Sequence, residues 1–262
     1  MIRTLFGKPI NRRAGASRRG SPGKRCYAIG DIHGRLDLLD SIISVIGQHN
    51  AEQPAKETVV VSLGDMIDRG PHSREVVERL MEPLPFNARL ICLKGNHEEM
   101  LVRSLSGEPH QLHNWLANGG RDCARSYGID PVLLDGQPIE VIEHNLAHAI
   151  PRRHIDFLSS LPDTAKFGDY LLVHAGIRPG VALADQRPSD LRWIRKGFLD
   201  SHAEHGFCVI HGHSVSLEVE DRPNRIGIDT GAYKTGLLTA IWIEDERTGL
   251  LQAVGAADEN RA

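Results

Sequence analysis

From Arg25 onward, short apolar runs alternate with stretches whose apolar residues recur at helical spacing. Cys26–Gly30 is the first such run, and Leu36, Leu39, Ile42, Ile43 and Ile46 then fall on one face of a helix. The β-branched run Thr58–Leu63 follows, and a helix opens at Pro71, whose fixed φ suits a first helical position. That helix turns Val76, Val77, Leu80 and Met81 inward. Arg89–Leu93 reads as a third strand, with a helix over His97–Leu105. Strand and helix alternating in units of about 30 residues predict a parallel sheet with right-handed crossovers.

Residues 108–160 carry few strand signals and are punctuated by Pro109, Gly119, Gly120 and Gly136, which predicts a helical insertion. After Pro162 the chain turns strand-rich, over Thr164–Phe167, Tyr170–His174, Phe207–His211, Arg225–Ile228 and Leu237–Ile243. A short helix around Leu191–Leu199 interrupts this series. Residues 25–255 therefore read as one α/β domain, followed by a short tail over 256–262.

Composition changes this picture in two places. The 262 residues are 40% hydrophobic and 25% charged, enough to bury a sizeable core and unlike a disordered chain. No apolar run approaches the ~20 residues of a membrane helix, so no membrane association is expected. Cys26, Cys92, Cys123 and Cys208 are scattered without metal or redox spacing, which points to reduced thiols and a cytoplasmic setting. Charge is unevenly spread. Residues 1–25 hold Arg3, Lys8, Arg12, Arg13, Arg18, Arg19, Lys24 and Arg25 and no acid, although the whole chain carries −3. No apolar core follows these charges, so a secretory signal is not expected. The composition fits a transit peptide or a solvated extension; residues 1–24 are read as a flexible basic arm.

The chemistry sits at the strand ends. Each early strand finishes in a glycine and then residues able to bind metal: Asp31 and His33, Asp65 and Asp68, Asn96 and His97. In an open α/β sheet, ligands bind beyond the carboxyl ends of the strands, so three neighbouring strands deliver these groups to one place. Oxygen ligands mixed with imidazole, without thiolate, suit Mn, Fe, Zn or Mg rather than a structural zinc. A carboxylate between two sub-sites can bridge two cations that act on a phosphoryl group, and Asp65, from the middle strand, is the natural bridge. His174 and His211-Gly-His213 repeat the pattern at two later strands.

These segments resemble the phosphoprotein phosphatase family of the calcineurin-like metallophosphoesterases, whose hallmarks GDxHG, GDxxDRG and GNHE stand here as Gly30–Gly34, Gly64–Gly70 and Gly95–Glu98. The chain is most similar to the compact bacterial and bacteriophage members. The resemblance implies an α/β sandwich of central β-sheets flanked by helices, and two divalent metal ions, with Mn expected and Fe or Zn as alternatives. Asp31, His33 and Asp65 would hold one ion; Asp65, Asn96, His174 and His213 would hold the other. Arg69 and, in competition with Arg192, Arg195 would bind phosphate oxygens beside Asn96. His97, oriented by Asp68, would be the general acid. Lys94 stands where the family commonly has Arg.

The implied activity is hydrolysis of phosphoserine or phosphothreonine monoesters by direct attack of a hydroxide bridging the metals. An asymmetric dinucleoside polyphosphate hydrolase on the same scaffold is the alternative. The expected partner is a phosphorylated protein or small phosphoester, with no nucleic acid, and the chain is read as a monomer. His49, His110, His113, His202 and His205 read as solvent-exposed, His211 and Trp115 as core. Glu98 reads as a hydrogen-bonding support.

Overall fold

The computed structural model describes residues 3–9, 18–107 and 109–257. In chain order it forms β1 (Arg3–Pro9), β2 (Lys24–Ile29), α1 (Leu36–Glu52), β3 (Glu57–Ser62), α2 (Ser73–Met81), β4 (Arg89–Cys92) and α3 (Asn96–Ser104). The insertion follows as α4 (Pro109–Trp115), a wide turn over Leu116–Gly120, α5 (Arg121–Ser126), α6 (Ile139–Ala149) and α7 (Arg152–Ser160). The later part holds β5 (Thr164–Phe167), β6 (Tyr170–Val173), α8 (Pro188–Trp193), β7 (Cys208–His211), β8 (Glu220–Asp221), β9 (Arg225–Gly227), α9 (Ala232–Thr235), β10 (Leu237–Glu244) and β11 (Arg247–Val254).

The strands make two sheets, in the orders β1-β11-β10-β2-β3-β4 and β5-β6-β7-β9-β8. The expected parallel arrangement holds for β2-β3-β4, and β6-β7-β9 are parallel too, while β1, β11 and β10 in the first sheet and β5 and β8 in the second pair antiparallel. Side chains alternate along a strand, and β2 uses both faces. Tyr27 and Ile29 pack with α1 and α2 residues such as Leu39 and Val77, whereas Cys26 and Ala28 face Tyr170, Leu172 and Ile210 of the second sheet. The outer face of that sheet, with Leu171, Val173 and Val209, is covered by Leu191 and Phe198. The order is thus helices, sheet, sheet and a layer of loops around α8.

Several boundaries differ from the sequence reading. Arg3–Pro9, expected within a flexible arm, add β1 to the edge of the first sheet beside β11. Residues 18–24 are also fastened: Gly20 N–H donates to the Asp245 carbonyl (2.7 Å) and Asp169 N–H to that of Arg19 (2.8 Å). The rest of that expected arm, residues 1–2 and 10–17, lies outside the described residues, as does most of the expected tail. α2 starts at Ser73 rather than Pro71, because Pro71 and His72 complete a turn in which His72 N–H reaches the Gly34 carbonyl (3.0 Å). The helix expected at Leu191–Leu199 sits earlier, opened by Pro188 and ended at Trp193. β11 carried no strand prediction. Among the described residues no helix is long and apolar enough to cross a membrane.

Candidate metal centre and active site

Register places the functional turns side by side. Ile29 is level with Ser62, and Ser62 with Cys92, so the chain leaves β2, β3 and β4 at one height. The turns are then sewn together: Ile32 and His33 N–H both donate to the Asp65 carbonyl (3.1 and 2.9 Å), and Gly34 N–H to that of Met66 (2.9 Å). In the second sheet Leu172, Ile210 and Ile226 are level, which brings His174, His213 and Asp229 to the same end. His174 Nδ1 donates to the Leu63 carbonyl (2.9 Å), and Gly212 N–H to that of His174 (2.8 Å).

The backbone at these turns is unusual. Outside glycine, the described residues adopt positive φ at His33, Asp65, Asp68, Arg69, His213 and Asp245, and all but Asp245 are predicted site residues. Left-handed conformations cost on the order of 1–3 kcal/mol for such residues and persist where the surroundings impose them, typically at functional sites. Gly64 shows why glycine alone serves at one of these turns. Its φ is +100°, and a Cβ there would lie 2.6 Å from the Gly95 nitrogen.

Asp65 sits between two groups of buried ligand atoms. Those of His33, Asp65 and His97 lie within 4.8 Å of one another, and so do those of Asp65, His174 and His213. His33 Nδ1 donates to the Ile67 carbonyl (2.9 Å), which leaves the Nε2 lone pair facing inward, 3.6 Å from Asp65 Oδ2. His174 Nε2 stands 3.3 Å from Asp65 Oδ1 and 2.9 Å from Asn96 Oδ1. Asp31 lies across from them, its carboxylate accepting the His213 N–H at 3.0–3.2 Å. The structure therefore brings the predicted ligands of both sheets together.

Two observations bear on whether this donor set suits a cation. His213 Nε2 is buried and has no hydrogen-bond partner, and an orphaned buried acceptor costs on the order of 1–3 kcal/mol unless something occupies its lone pair. Buried carboxylates also crowd together. Burial, followed by the charges of Asp229 and Asp65, drives the Asp31 carboxyl well above its ordinary range. Burial likewise lifts Asp229 to about 6. For Asp65 burial acts upward as well, but the imidazoles of His174, His97 and His33 outweigh it and hold the carboxyl well below the usual value. Cations at the inward nitrogens and carboxylates would relieve both defects, so the residues fit divalent metal.

Beside this cluster stands a second arrangement. His97 Nδ1 is 2.6 Å from Asp68 Oδ2, both fully buried, so Nε2 points to the cluster, 3.8 Å from Asp65 Oδ2. Arg69 Nη1 donates to His33 Nε2 (2.9 Å), and its guanidinium lies over the Tyr233 ring at 4.8 Å. Arg195 Nη2 donates to the His213 carbonyl (3.1 Å), whereas Arg192 is spent on a bidentate pair with Asp163 (2.6 and 3.0 Å). Of the two arginines, Arg195 is the one beside the cluster. Glu98 supports it from behind: Oε2 accepts from Asp65 N–H (2.9 Å) and Gly95 N–H (2.8 Å), Oε1 from Met66 N–H (2.8 Å). Lys94 reaches away, donating to the Ser159 carbonyl (2.7 Å).

Three residues here escaped the sequence reading. Asp229 follows an apolar strand as the other acids do, and applying that rule to β9 finds it. The Tyr233 ring stands T-shaped to His33 at 5.2 Å, and nothing in its local sequence signals this. Trp115 is buried as expected, but its Nε1 also reaches both Asp68 oxygens at 2.9 Å. His49 corrects an expectation of exposure: it is half-buried, 2.7 Å from the Tyr27 hydroxyl and tilted against Trp242.

His211 is a core residue, 1% exposed, its ring T-shaped to Phe198. Burial pushes its pKa from 6.5 to about 4. The stability it confers is therefore present above its unfolded pKa and is lost as pH falls toward 4. Between pH 7 and pH 5 the wild type is expected to lose about 2 kcal/mol more than His211→Gln, read from urea unfolding at both pH values. Parallel losses would contradict the buried neutral imidazole.

The fold and this donor set define a metallophosphoesterase, a hydrolase class. The chain belongs to the calcineurin-like phosphoesterase family, which matches residues 24–232. It is 28% identical over 225 residues to serine/threonine-protein phosphatase 2 of Escherichia coli (strain K12), covering 82% of this chain and 91% of that protein. It is 26% identical to a symmetrical bis(5'-nucleosyl)-tetraphosphatase of Neisseria meningitidis, covering 88% of this chain and 97% of that one. A metallophosphoesterase structure from Sphaerobacter thermophilus shares the fold, with a TM-score of 0.52 at 19% identity over 89% of each chain.

Proposed function

We propose that this protein is a metal-dependent phosphomonoesterase acting on phosphoserine or phosphothreonine in proteins. The observation that carries the reading is the buried His97–Asp68 pair aimed at a cluster of cation ligands. Asp31, His33 and Asp65 would hold one divalent ion, and Asp65, Asn96, His174 and His213 the other, with Mn the favoured metal. Such ions supply Lewis acidity and charge neutralisation for attack of water on phosphorus. Arg69 and Arg195 bind the phosphoryl oxygens, with Asn96 beside them, and Arg69 leaves the His33 nitrogen to do so. Asp68 holds the His97 Nδ1 proton, which aims Nε2 at the leaving oxygen, where it delivers a proton. The four cysteines are buried and form no disulfide among the described residues, which accords with a reducing, cytoplasmic setting.

The names of bis(5'-nucleosyl)-tetraphosphatase relatives, symmetrical and asymmetrical, favour a second reading, hydrolysis of a dinucleoside polyphosphate, kept here in its asymmetric form. The two part on one comparison: phosphate released from a phosphothreonine peptide against nucleotide released from diadenosine tetraphosphate, each with Mn2+. Faster turnover of the peptide is expected. Much faster turnover of the dinucleotide would replace the first reading by the second, and silence on both would exclude them.

A further inference from the structure

Asp68 and Arg69 are consecutive residues in left-handed backbone, at φ 71° and 65°. A strained pair of this kind needs outside support, and the helical insertion supplies it. Trp115, the last residue of α4, is fully buried, and its indole N–H lies 2.9 Å from each Asp68 oxygen. Immediately beyond it the chain makes the wide turn Leu116–Gly120, in which Gly119 takes φ +107°. The Gly119 carbonyl accepts the Arg69 N–H at 3.1 Å. A Cβ at Gly119 would lie 2.6 Å from Arg69 Cγ, so only glycine lets the turn come this close.

An indole nitrogen donates one hydrogen bond and accepts none. Trp115 therefore addresses the carboxylate in one sense, as a donor to both oxygens, and shares Oδ2 with His97. Asp68 is held between the indole and the imidazole, and its main-chain N–H is tied to Ser73 Oγ (2.9 Å). Without the indole, the carboxylate would keep its hydrogen bond to His97 and the weak one from the Cys123 thiol, and would turn more freely about χ2.

We infer that Trp115 is a positioning residue, which fixes the Asp68 carboxylate so that His97 presents its Nε2 to the leaving group. The inference rests on the proposed reading of His97 as the proton donor. The insertion is then a working part of the site rather than an ornament on it. Hydrogen bonds to charged groups are worth enough for about a tenfold effect on rate.

The test uses the full chain with Mn2+ and two substrates of different leaving group, phenyl phosphate and 2,4-dinitrophenyl phosphate. Trp115→Phe keeps an aromatic ring and removes the donor. Incorporating a benzothienyl analogue of tryptophan at 115 keeps the bicyclic shape as well, so a packing defect in the first variant does not decide the matter. Both are expected to lose about tenfold or more in kcat on phenyl phosphate, to change little on the dinitrophenyl ester, and to leave KM in place. In an Asp68→Asn background the extra loss should vanish. An equal loss on both esters, or an undiminished loss in that background, overturns the inference. His97→Asn is measured in parallel: if it too shows no leaving-group dependence, the proton-donor reading fails; if it does and the Trp115 variants do not, only the role of Trp115 falls.

Discussion

Asparagine in place of Asp65 is expected to remove bound divalent metal and turnover together. The side chain is nearly unchanged in size, and the main-chain hydrogen bonds from Ile32 and His33 go to the carbonyl of Asp65, not to its carboxylate. Folding should therefore survive. What is lost is the charge common to both groups of ligand atoms. His33, His174 and His213, the imidazoles proposed as ligands, are neutral donors when they bind metal, so on that reading Asp65 would supply the central negative charge for two cations at neighbouring positions. Metal-ion catalysis contributes several kcal/mol, so loss of the centre should cost about 10³-fold or more in kcat/KM. Metal analysis after reconstitution with Mn2+, alongside p-nitrophenyl phosphate turnover, gives both quantities. Full metal content in an inactive Asp65→Asn protein would remove Asp65 from the ligand set.

His97→Asn should separate what Asp65→Asn joins. Metal content should hold, while turnover of substrates with poor leaving groups falls by about 10²–10⁴-fold, the usual share of a positioned acid. The reasoning is spatial. His97 Nε2 lies close enough to Asp65 and His33 to be counted among possible ligands, yet its other nitrogen is held by Asp68 at 2.6 Å in a fully buried pair. Carboxylate–histidine pairs also serve metal ligands, so geometry by itself permits either role. The variant decides between them. A chain that loses metal with His97 would make it a ligand and leave the reaction without its proton donor.

Much of the centre was legible because its signals are local. An apolar run followed by glycine and a metal-capable side chain reports a strand end, and parallel strands in register bring those ends together. Asp31, Asp65 and Asn96 follow from that rule; His174 and Asp229 end apolar strands without the glycine, and a looser form of it, applied to β9 as well, reaches both. Contacts made across long stretches of chain were not legible. A tryptophan at helical spacing reads as packing, and Trp115 does pack; its second contact depends on where the insertion folds back over Asp68. His49 looks solvated in its own neighbourhood, but Tyr27 and Trp242 come to it from other strands. β1 was hidden for the same reason, since a basic stretch becomes a strand here through its pairing with β11, at the other end of the sequence.

That arrangement has a consequence for how the molecule is made. All the predicted metal ligands have been synthesised by His213, but β2, which carries Asp31 and His33 at its end, has β10 as its neighbour on one side. Ile29 waits for Ala240, the Gly30 N–H for the Thr239 carbonyl, and the buried Arg25 guanidinium for Glu244, 2.5 Å away. A chain still emerging from the ribosome thus holds all the predicted ligands on an incomplete sheet, with one edge of β2 open and an unpaired cation next to it. Pairings this distant in sequence are slow to form, and an open edge invites the wrong partner. Metal captured early would meet turns that are not yet locked, so the centre is expected to reach its geometry only once β10 has joined β2.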